Sequence, residues 1–251
     1  QDFTTLVEPL SLDEAYLDVS DSVTPQHPPE QIGRDLKTRV KADLHLSISV
    51  GVATTKSVAK IASDMDKPDG LTIVPPGSER KFLAPLAVDK LWGIGPKTAA
   101  RLANEDVHTI EDLAAQSEEW CHSRFGKIGY NMRLLAQGRD NRAVVATRSS
   151  KSVSAETTLA KDTDDPGALF ELVNRLSQRV SATLTRRDLH GRTVKLKLRL
   201  SNFTTFTRQT TVAEPVSSSI EIATAATTLL RAELQPGILF RLVGVGVSGF
   251  E

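Results

Sequence analysis

The sequence predicts an α+β protein in three parts: a mixed sheet-and-helix front, an all-helical middle and a βαββαβ rear. Three observations carry this. In the rear, RTVKLKLRL (192–200) alternates apolar and polar side chains with a period of two, and a long 3.6-residue period follows Asp165-Pro166. Residues 78–141 read as short helical segments divided by turn signals at Gly93–Gly95, Asn104 and Gly126–Gly129. The front mixes short apolar runs with two helical periods.

In chain order, residues 1–21 read as strand, turn and strand around SLDEAYLDVS. Ile32, Leu36, Val40 and Leu44 recur every fourth position, so residues 30–44 are expected to form an amphipathic helix. LSISVGVA (46–53) suits a strand buried on both faces. Thr54 or Thr55 caps a helix with Val58, Ile61, Ala62 and Met65 on its buried side, and Pro68 ends it. LTIV (71–74) is a further strand, closed by Pro75-Pro76-Gly77. In the middle, Thr109 and Asp112 form a capping pair. Residues 141–150 are polar and read as a linker. The rear runs strand (153–160), helix with Leu169, Leu172, Val173, Leu176, Val180 and Leu184 on one face, two strands joined at Ser201-Asn202, helix (217–234) and a closing strand, FRLVGVGVSGF. This is a ferredoxin-like order of about 100 residues.

The composition of the 251 residues, 39% hydrophobic and 25% charged, is that of a soluble globular protein. No apolar run reaches the roughly 18 residues of a membrane span and no basic-then-apolar leader opens the chain. The single cysteine, Cys121, forms no internal disulfide or cysteine-based zinc site, fits a reducing cytoplasm and is expected to be a packing or surface residue. Net charge is zero but uneven: residues 1–80 hold 8 basic and 13 acidic side chains, 81–148 hold 10 and 8, and 149–251 hold 13 and 10. An acidic front suits a metal site and a basic rear suits a polyanion.

Four motifs bear on chemistry. Asp13 and Glu14 are adjacent carboxylates in an apolar strand-like run. Solvated acids at a hairpin turn account for them, and so does a site for hard divalent cations such as Mg2+ if the chain bends there. Lys56, Lys60 and Lys67 fall on one stripe of a helix, with Lys60 about 40° and Lys67 about 20° around from Lys56. The stripe is either a solvated face or a site for an anion. LWGIGPKTAARL reads as helix, tight turn, helix, with Gly93 and Gly95 in the turn and Pro96 opening the second helix. Such a turn offers backbone N–H groups to a phosphate, with Lys97 and Thr98 able to add contacts. Finally, Lys195, Lys197 and Arg199 share one face of a strand, as a solvated sheet face or a seat for an anionic partner. Phe203, Phe206, Phe240 and Phe250 form no stacking platform, which argues against RNA recognition by stacking.

SLDEAYLD resembles, almost letter for letter, the catalytic motif of the Y-family DNA polymerases, of the DNA polymerase IV type. The resemblance spans nearly the whole chain. It implies a partial palm at 1–75, a helix-hairpin-helix thumb at 76–141, a linker at 142–150 and a little finger at 151–251. Asp13 and Glu14 would be two of the family's three metal-binding carboxylates, holding two Mg2+ with Mn2+ as a substitute; Tyr16 and Asp18 would be structural parts of the hairpin. AKIASDMDKPDG implies Lys67 as a contact of the incoming triphosphate, with Lys60 bracing the acids. Gly93, Ile94, Gly95, Lys97 and Thr98, then Lys195, Lys197, Arg199, Arg208 and Arg241, would lie on DNA phosphates. The implied function is template-directed, low-fidelity translesion synthesis by a cytoplasmic monomer. Its partners would be primer-template DNA, deoxynucleoside triphosphates and, in a full-length protein, a sliding clamp. The family's third aspartate, its fingers and its clamp-binding tail have no match here, so the chain is expected to be a fragment, inactive alone. A non-catalytic DNA-binding scaffold is the alternative. A palm-type nucleotide cyclase is disfavoured because its Gly-Gly-acidic hairpin is absent.

Overall fold

The computed structural model describes residues 2–147 and 149–251; Gln1 and Arg148, the latter within the expected linker, lie outside the described residues. The chain falls into two compact units, 1–148 and 149–251.

The first unit opens with a hairpin. Strand β1 (Val7–Pro9) pairs antiparallel with β2 (Ala15–Leu17), with Glu8 opposite Tyr16. A 3-10 turn (Ser20–Ser22) leads to α1 (Pro29–Leu44). Strand β3 (Val50–Val52) then pairs in parallel with β4 (Leu71–Ile73) across the crossover helix α2 (Lys56–Met65). Thr55 caps α2 by accepting the Val58 N–H. The helix lies so close over β3 that a Cβ at Gly51 would fall 2.1 Å from the Ala59 carbonyl, which is why glycine stands there.

Three expectations for this unit fail at their ends. The 46–53 strand shortens to β3, which has β4 as its one partner strand among the described residues, and Leu46 is exposed. Helices α1 and α2 both pack on β3, but among the described residues only one of its edges carries a neighbour strand, and all three of its residues stay half-buried. Leu44 and Met65, each last in its helical series, are also exposed.

The helical stretch continues through α3 (Glu79–Leu83), a 3-10 turn (Val88–Lys90), α4 (Pro96–Ala103), α5 (Ile110–Ala115) and α6 (Glu118–Ala136). The Thr109–Asp112 capping box forms as expected. Gly126, at φ 61°, kinks α6 in the left-handed region that glycine tolerates. Val58, Ile61 and Ala62 of α2 share one core with Leu83, Leu91, Leu102 and Ile110, so no packing seam falls at residue 75. Cys121 is fully buried in that core, which makes it a packing rather than a surface residue.

The second unit follows the βαββαβ order: β5 (Ser152–Thr163), α7 (Pro166–Arg186), β6 (Gly191–Leu200), β7 (Thr205–Val216), α8 (Ser219–Arg231) and β8 (Phe240–Phe250). Asp165 caps α7, and all six of the expected α7 core residues are buried. The sheet is antiparallel in the order β5-β8-β6-β7. A ferredoxin-like sheet centres its first and third strands, whereas here the fourth and second are central, so that part of the expectation is corrected to a different split-βαβ sheet. Apolar content explains the order: Val243, Val245 and Val247 of β8 and Val194, Leu196 and Leu198 of β6 are almost fully buried, while the edge strands are rich in Ser and Thr.

Candidate active site and nucleic-acid interface

The turn between β1 and β2 is closed by the Leu10 and Ser11 N–H groups, which both donate to the Glu14 carbonyl at 2.8 and 3.2 Å. This bend lifts two neighbouring carboxylates out of strand alternation. Asp13 is exposed and accepts the Ser11 hydroxyl at 2.6 Å. That bond, with its own backbone N–H and the charges of Lys67 and Lys60, holds the Asp13 carboxyl below the usual carboxylate range against slight desolvation. Tyr16 and Asp18 complete the hairpin as structural parts: burial pushes the Tyr16 hydroxyl up, and Asp18 caps the following turn through the Ser20 N–H and hydroxyl.

Glu14 accepts Lys60 Nζ at 2.9 Å. Lys60 also reaches Asp64 at 2.9 Å, and Asp64 accepts Lys67 at 2.6 Å. The result is a chain of alternating charge, Glu14–Lys60–Asp64–Lys67, along α2 and just past its end. Burial works against the Lys60 charge, but its bonds to Asp64 and Glu14 outweigh that and raise its pKa. Asp64 is likewise penalised by burial and is nevertheless held low by Lys67 and Lys60. Asp64 escaped the sequence reading, although its spacing of four from Lys60 and three from Lys67 was the signal for it.

The expected lysine stripe is not one solvated face. Lys56 turns inward and forms a buried ion pair with Glu8, whose side chain is 1% exposed against 9% for Lys56. The Tyr16 ring lies 4.9 Å from the Lys56 ammonium. The same two residues capture the expected linker: Glu8 accepts the Val145 N–H at 2.9 Å and Lys56 donates to the Ala143 carbonyl at 3.2 Å. Asp140, nearly buried, accepts the Ser57 N–H at 3.0 Å and both guanidinium arms of Arg142, whose other face covers the Trp92 ring. Residues 142–145 of the expected polar linker are thus bonded to the first unit. Polar side-chain and main-chain bonds hold that stretch to the first unit, and hydrophobic patterning cannot register them.

At the helix-hairpin-helix turn, Gly93 takes φ 94° while Gly95 is extended, so only Gly93 needs glycine's freedom. The Ile94 side chain is a core residue at 5% exposure and its N–H donates to the Leu91 carbonyl at 3.0 Å, so Ile94, expected among the phosphate contacts, offers neither group to an anion. Lys97 is exposed and Thr98 half-buried. Among the described residues the N–H groups of Gly93, Gly95 and Lys97 have no intramolecular acceptor, so they are free to meet an anion.

On the rear sheet, register sets Lys195 opposite Gly246, Lys197 opposite Gly244 and Arg199 opposite Leu242. The three cations share the face away from the helices, as expected. Lys197 pairs with Glu156 at 2.7 Å, Arg199 donates to the Thr205 hydroxyl, and Lys195 has no ion-pair partner among the described residues. Arg208 does not belong with them. It stands opposite Leu196 on the helix side, bonded to Glu233 at 2.7 Å and stacked on Phe206. Its parity with Phe206 and Val212, both packed on the core, was the available signal. Arg241 sits at a register break in β8, ion-paired with Asp162 at 2.9 Å and stacked on Phe203.

With this geometry in view, the likeness to known proteins is informative. Residues 150–251 match the impB/mucB/samB family C-terminal domain, 1–64 the impB/mucB/samB family, and 76–104 the IMS family HHH motif. DNA polymerase IV of Alkalilimnicola ehrlichii is 41% identical over 249 residues, which cover 99% of this chain and 70% of that protein. The chain belongs to the Y-family DNA polymerases, of the DNA polymerase IV type. Members of this family are DNA-directed DNA polymerases. The enzyme of Xanthomonas campestris pv. campestris is 39% identical, with 99% of this chain and 69% of the relative covered. That of Desulfatibacillum aliphaticivorans is 35% identical, with 98% and 62% covered. The chain thus spans 62–70% of the length of these DNA polymerase IV relatives. The fold agrees: a Y-family DNA polymerase chimera of Dbh and Dpo4 superposes with a TM-score of 0.89 at 24% identity, covering 99% of this chain and 72% of its own. DinB from Sulfolobus solfataricus gives 0.59 at 23%, covering 99% and 73%. Among the described residues no helix is long and apolar enough to cross a membrane.

Proposed function

We propose that this chain carries the acidic hairpin, nucleotide lysine and DNA-holding elements of a low-fidelity translesion DNA polymerase. On this reading the front of the first unit is a partial palm, its helical stretch the thumb, and the second unit the little finger. The observation that carries it is the meeting of Asp13-Glu14 with the Lys60–Asp64–Lys67 chain, which sets paired carboxylates beside a lysine exposed for an anion.

Asp13 and Glu14 supply hard oxygen donors of the kind Mg2+ prefers, and Asp13 stays ionised over the working pH range, so the residues present fit a divalent ion. They fit it as part of a site: no group of three or more His, Cys, Asp or Glu gathers to hold a metal among the described residues. When bound, the ions neutralise charge on the attacking and leaving oxygens of the transfer. Lys60 stays cationic and fixes Glu14 in place. Among the described residues Lys67 is ion-paired with Asp64 alone, and both are about half exposed, so their pair is worth roughly 0–1 kcal/mol and yields readily to a triphosphate. In the reaction, the primer 3′-oxygen forms a bond to the α-phosphorus of a deoxynucleoside triphosphate and pyrophosphate leaves. The hairpin holds a DNA backbone phosphate through the main-chain N–H groups of Gly93, Gly95 and Lys97, with the Lys97 and Thr98 side chains adding contacts; Ile94, whose N–H is bonded to the Leu91 carbonyl, shapes the turn from the core. These 251 residues alone are expected to give no product in primer extension with Mg2+ and all four deoxynucleotides, since two carboxylates are fewer than two-metal transfer uses. Extension that survives Asp13→Ala would overturn both that expectation and the site.

Lys195, Lys197 and Arg199 seat the second unit on duplex phosphates without reading sequence. Residues 149–251 have their own closed core and are expected to fold alone and bind DNA weakly, with a salt slope of roughly −0.9 per neutralised phosphate. Lys195→Ala with Arg199→Ala should flatten that slope by about 1.8, and adding Lys197→Ala should bring it to about 2.7 as DNA displaces Glu156 from Lys197. The thermal midpoint should hardly move, because these side chains stand on the face away from the aliphatic core. A folded triple mutant with the wild-type slope would place DNA elsewhere on this unit; a non-catalytic scaffold would keep the slope while lacking all synthesis in a full-length protein.

A further inference from the structure

Lys37 stands on α1 with its side chain 18% exposed. Its ammonium meets the Ile48 carbonyl at 3.0 Å, the Asp69 carbonyl at 2.5 Å, the Gly70 carbonyl at 3.1 Å and the Asp69 carboxylate at 2.7 Å. An ammonium has three donors, so these acceptors saturate it. The contacts tie three places together: α1, the approach to β3, and the loop between α2 and β4. That loop is tightly folded. Asp69 holds φ 61°, a left-handed conformation unfavourable for most L residues, and a Cβ at Gly70 would fall 1.9 Å from the Asp66 carbonyl. The Gly70 N–H donates to the Ser49 hydroxyl at 3.1 Å and its carbonyl also accepts the Val50 N–H at 3.0 Å. Lys67 lies in this loop, two residues before Asp69 and beyond the end of α2, so the helix does not fix its main chain.

We infer that Lys37 is a positioning residue for Lys67: by clamping the Asp69–Gly70 main chain to α1 and the approach to β3, it fixes the loop from which Lys67 reaches the nucleotide. Lys37 touches no substrate itself. The inference rests on Lys67 being a triphosphate contact. A loop already ordered before the nucleotide arrives loses less conformational freedom on binding, so Lys37 acts on nucleotide affinity rather than on the chemical step.

The test uses single-nucleotide incorporation by a full-length polymerase of this family carrying this chain, with Lys37→Met, Lys67→Ala and the double variant. Lys37→Met is expected to raise the nucleotide KM about tenfold with kcat and DNA affinity nearly unchanged, and to add nothing in the Lys67→Ala background. In the 251-residue chain itself, amide exchange over residues 66–71 should quicken in Lys37→Met while α4 to α6 stay protected. A KM effect of equal size in the Lys67→Ala background would make Lys37 a general structural residue and overturn the inference. If Lys67→Ala raises KM and Lys37→Met does not, the inference alone fails; if Lys67→Ala itself leaves KM unchanged, the phosphate reading fails and carries the inference with it. Should Lys37→Met not fold, Asp69→Asn removes the carboxylate leg while tolerating the left-handed backbone. It is expected to raise KM about threefold in a Lys67-dependent way, and an unchanged KM there overturns the inference.

Discussion

Alanine at Asp13 or at Glu14, in a full-length polymerase carrying this chain, is expected to lower primer extension at least about a thousandfold while DNA affinity stays within about twofold. A thousandfold loss corresponds to roughly 4 kcal/mol of transition-state stabilisation, in keeping with the removal of a metal-holding carboxylate. DNA affinity is spared because neither side chain holds DNA in the proposed arrangement. Asp13 bonds only within its own turn, so Asp13→Ala is the cleaner variant. Glu14→Ala also takes one partner from Lys60, which keeps Asp64. Rapid-quench incorporation and equilibrium DNA binding, measured on the same preparations, decide the matter. Activity within tenfold of wild type would remove these residues from the reaction, and a parallel loss of DNA binding would show that the hairpin is merely structural.

A second large effect is expected in stability. Glu8→Ala leaves the Lys56 ammonium buried without its carboxylate and strips the Val145 N–H of its acceptor, which should cost about 3–5 kcal/mol. For a unit of this size that is a fall of roughly 10–15 °C in the melting midpoint of the first unit. The second unit, with a separate core, should melt unchanged. Glu8→Leu combined with Lys56→Met, which removes both charges, should recover most of the loss. Calorimetry reads both transitions, and a fall of less than about 2 °C for Glu8→Ala would mean that water reaches the pair.

How far each feature was legible follows from the physics that fixes it. The second unit was plain because burial writes itself as periodicity: α7 buries the six residues its spacing named, and β6 turns three cations outward. The capping box at Thr109 was plain because capping is local. Sheet order was not, since the choice of central strands depends on how whole strands compete for the interior, and β8 with β6 won that place. Arg208, which the resemblance set among the phosphate contacts, stands by strand parity on the helix side instead. In the candidate site, Asp13-Glu14, Lys60 and Lys67 stood out as a motif; ion pairs through Asp64 join Glu14, Lys60 and Lys67, and the charges of Lys67 and Lys60 act on Asp13. Asp64, Glu8, Lys56 and Lys37 were not seen for what they do. The partners of Glu8, Lys56 and Lys37 are charges and carbonyls distant in sequence, as with Lys37 and Asp69, and hydrophobic pattern carries no record of such pairings; Asp64 pairs locally, and only its charge spacing marks it.

The burial of Cys121 has a practical consequence. It is the only thiol in the chain, it sits fully buried in the core shared by α2 and the helical stretch, and burial pushes its pKa up. A thiol-specific reagent in solution therefore finds nothing to attack until the first unit opens, and the second unit, lacking cysteine, is silent throughout. With reagent in moderate excess and reclosing faster than capture, the labelling rate measures the equilibrium population of the open form. The molecule thus contains its own clock for one half of its structure, readable without a dye, a tag or an added probe residue.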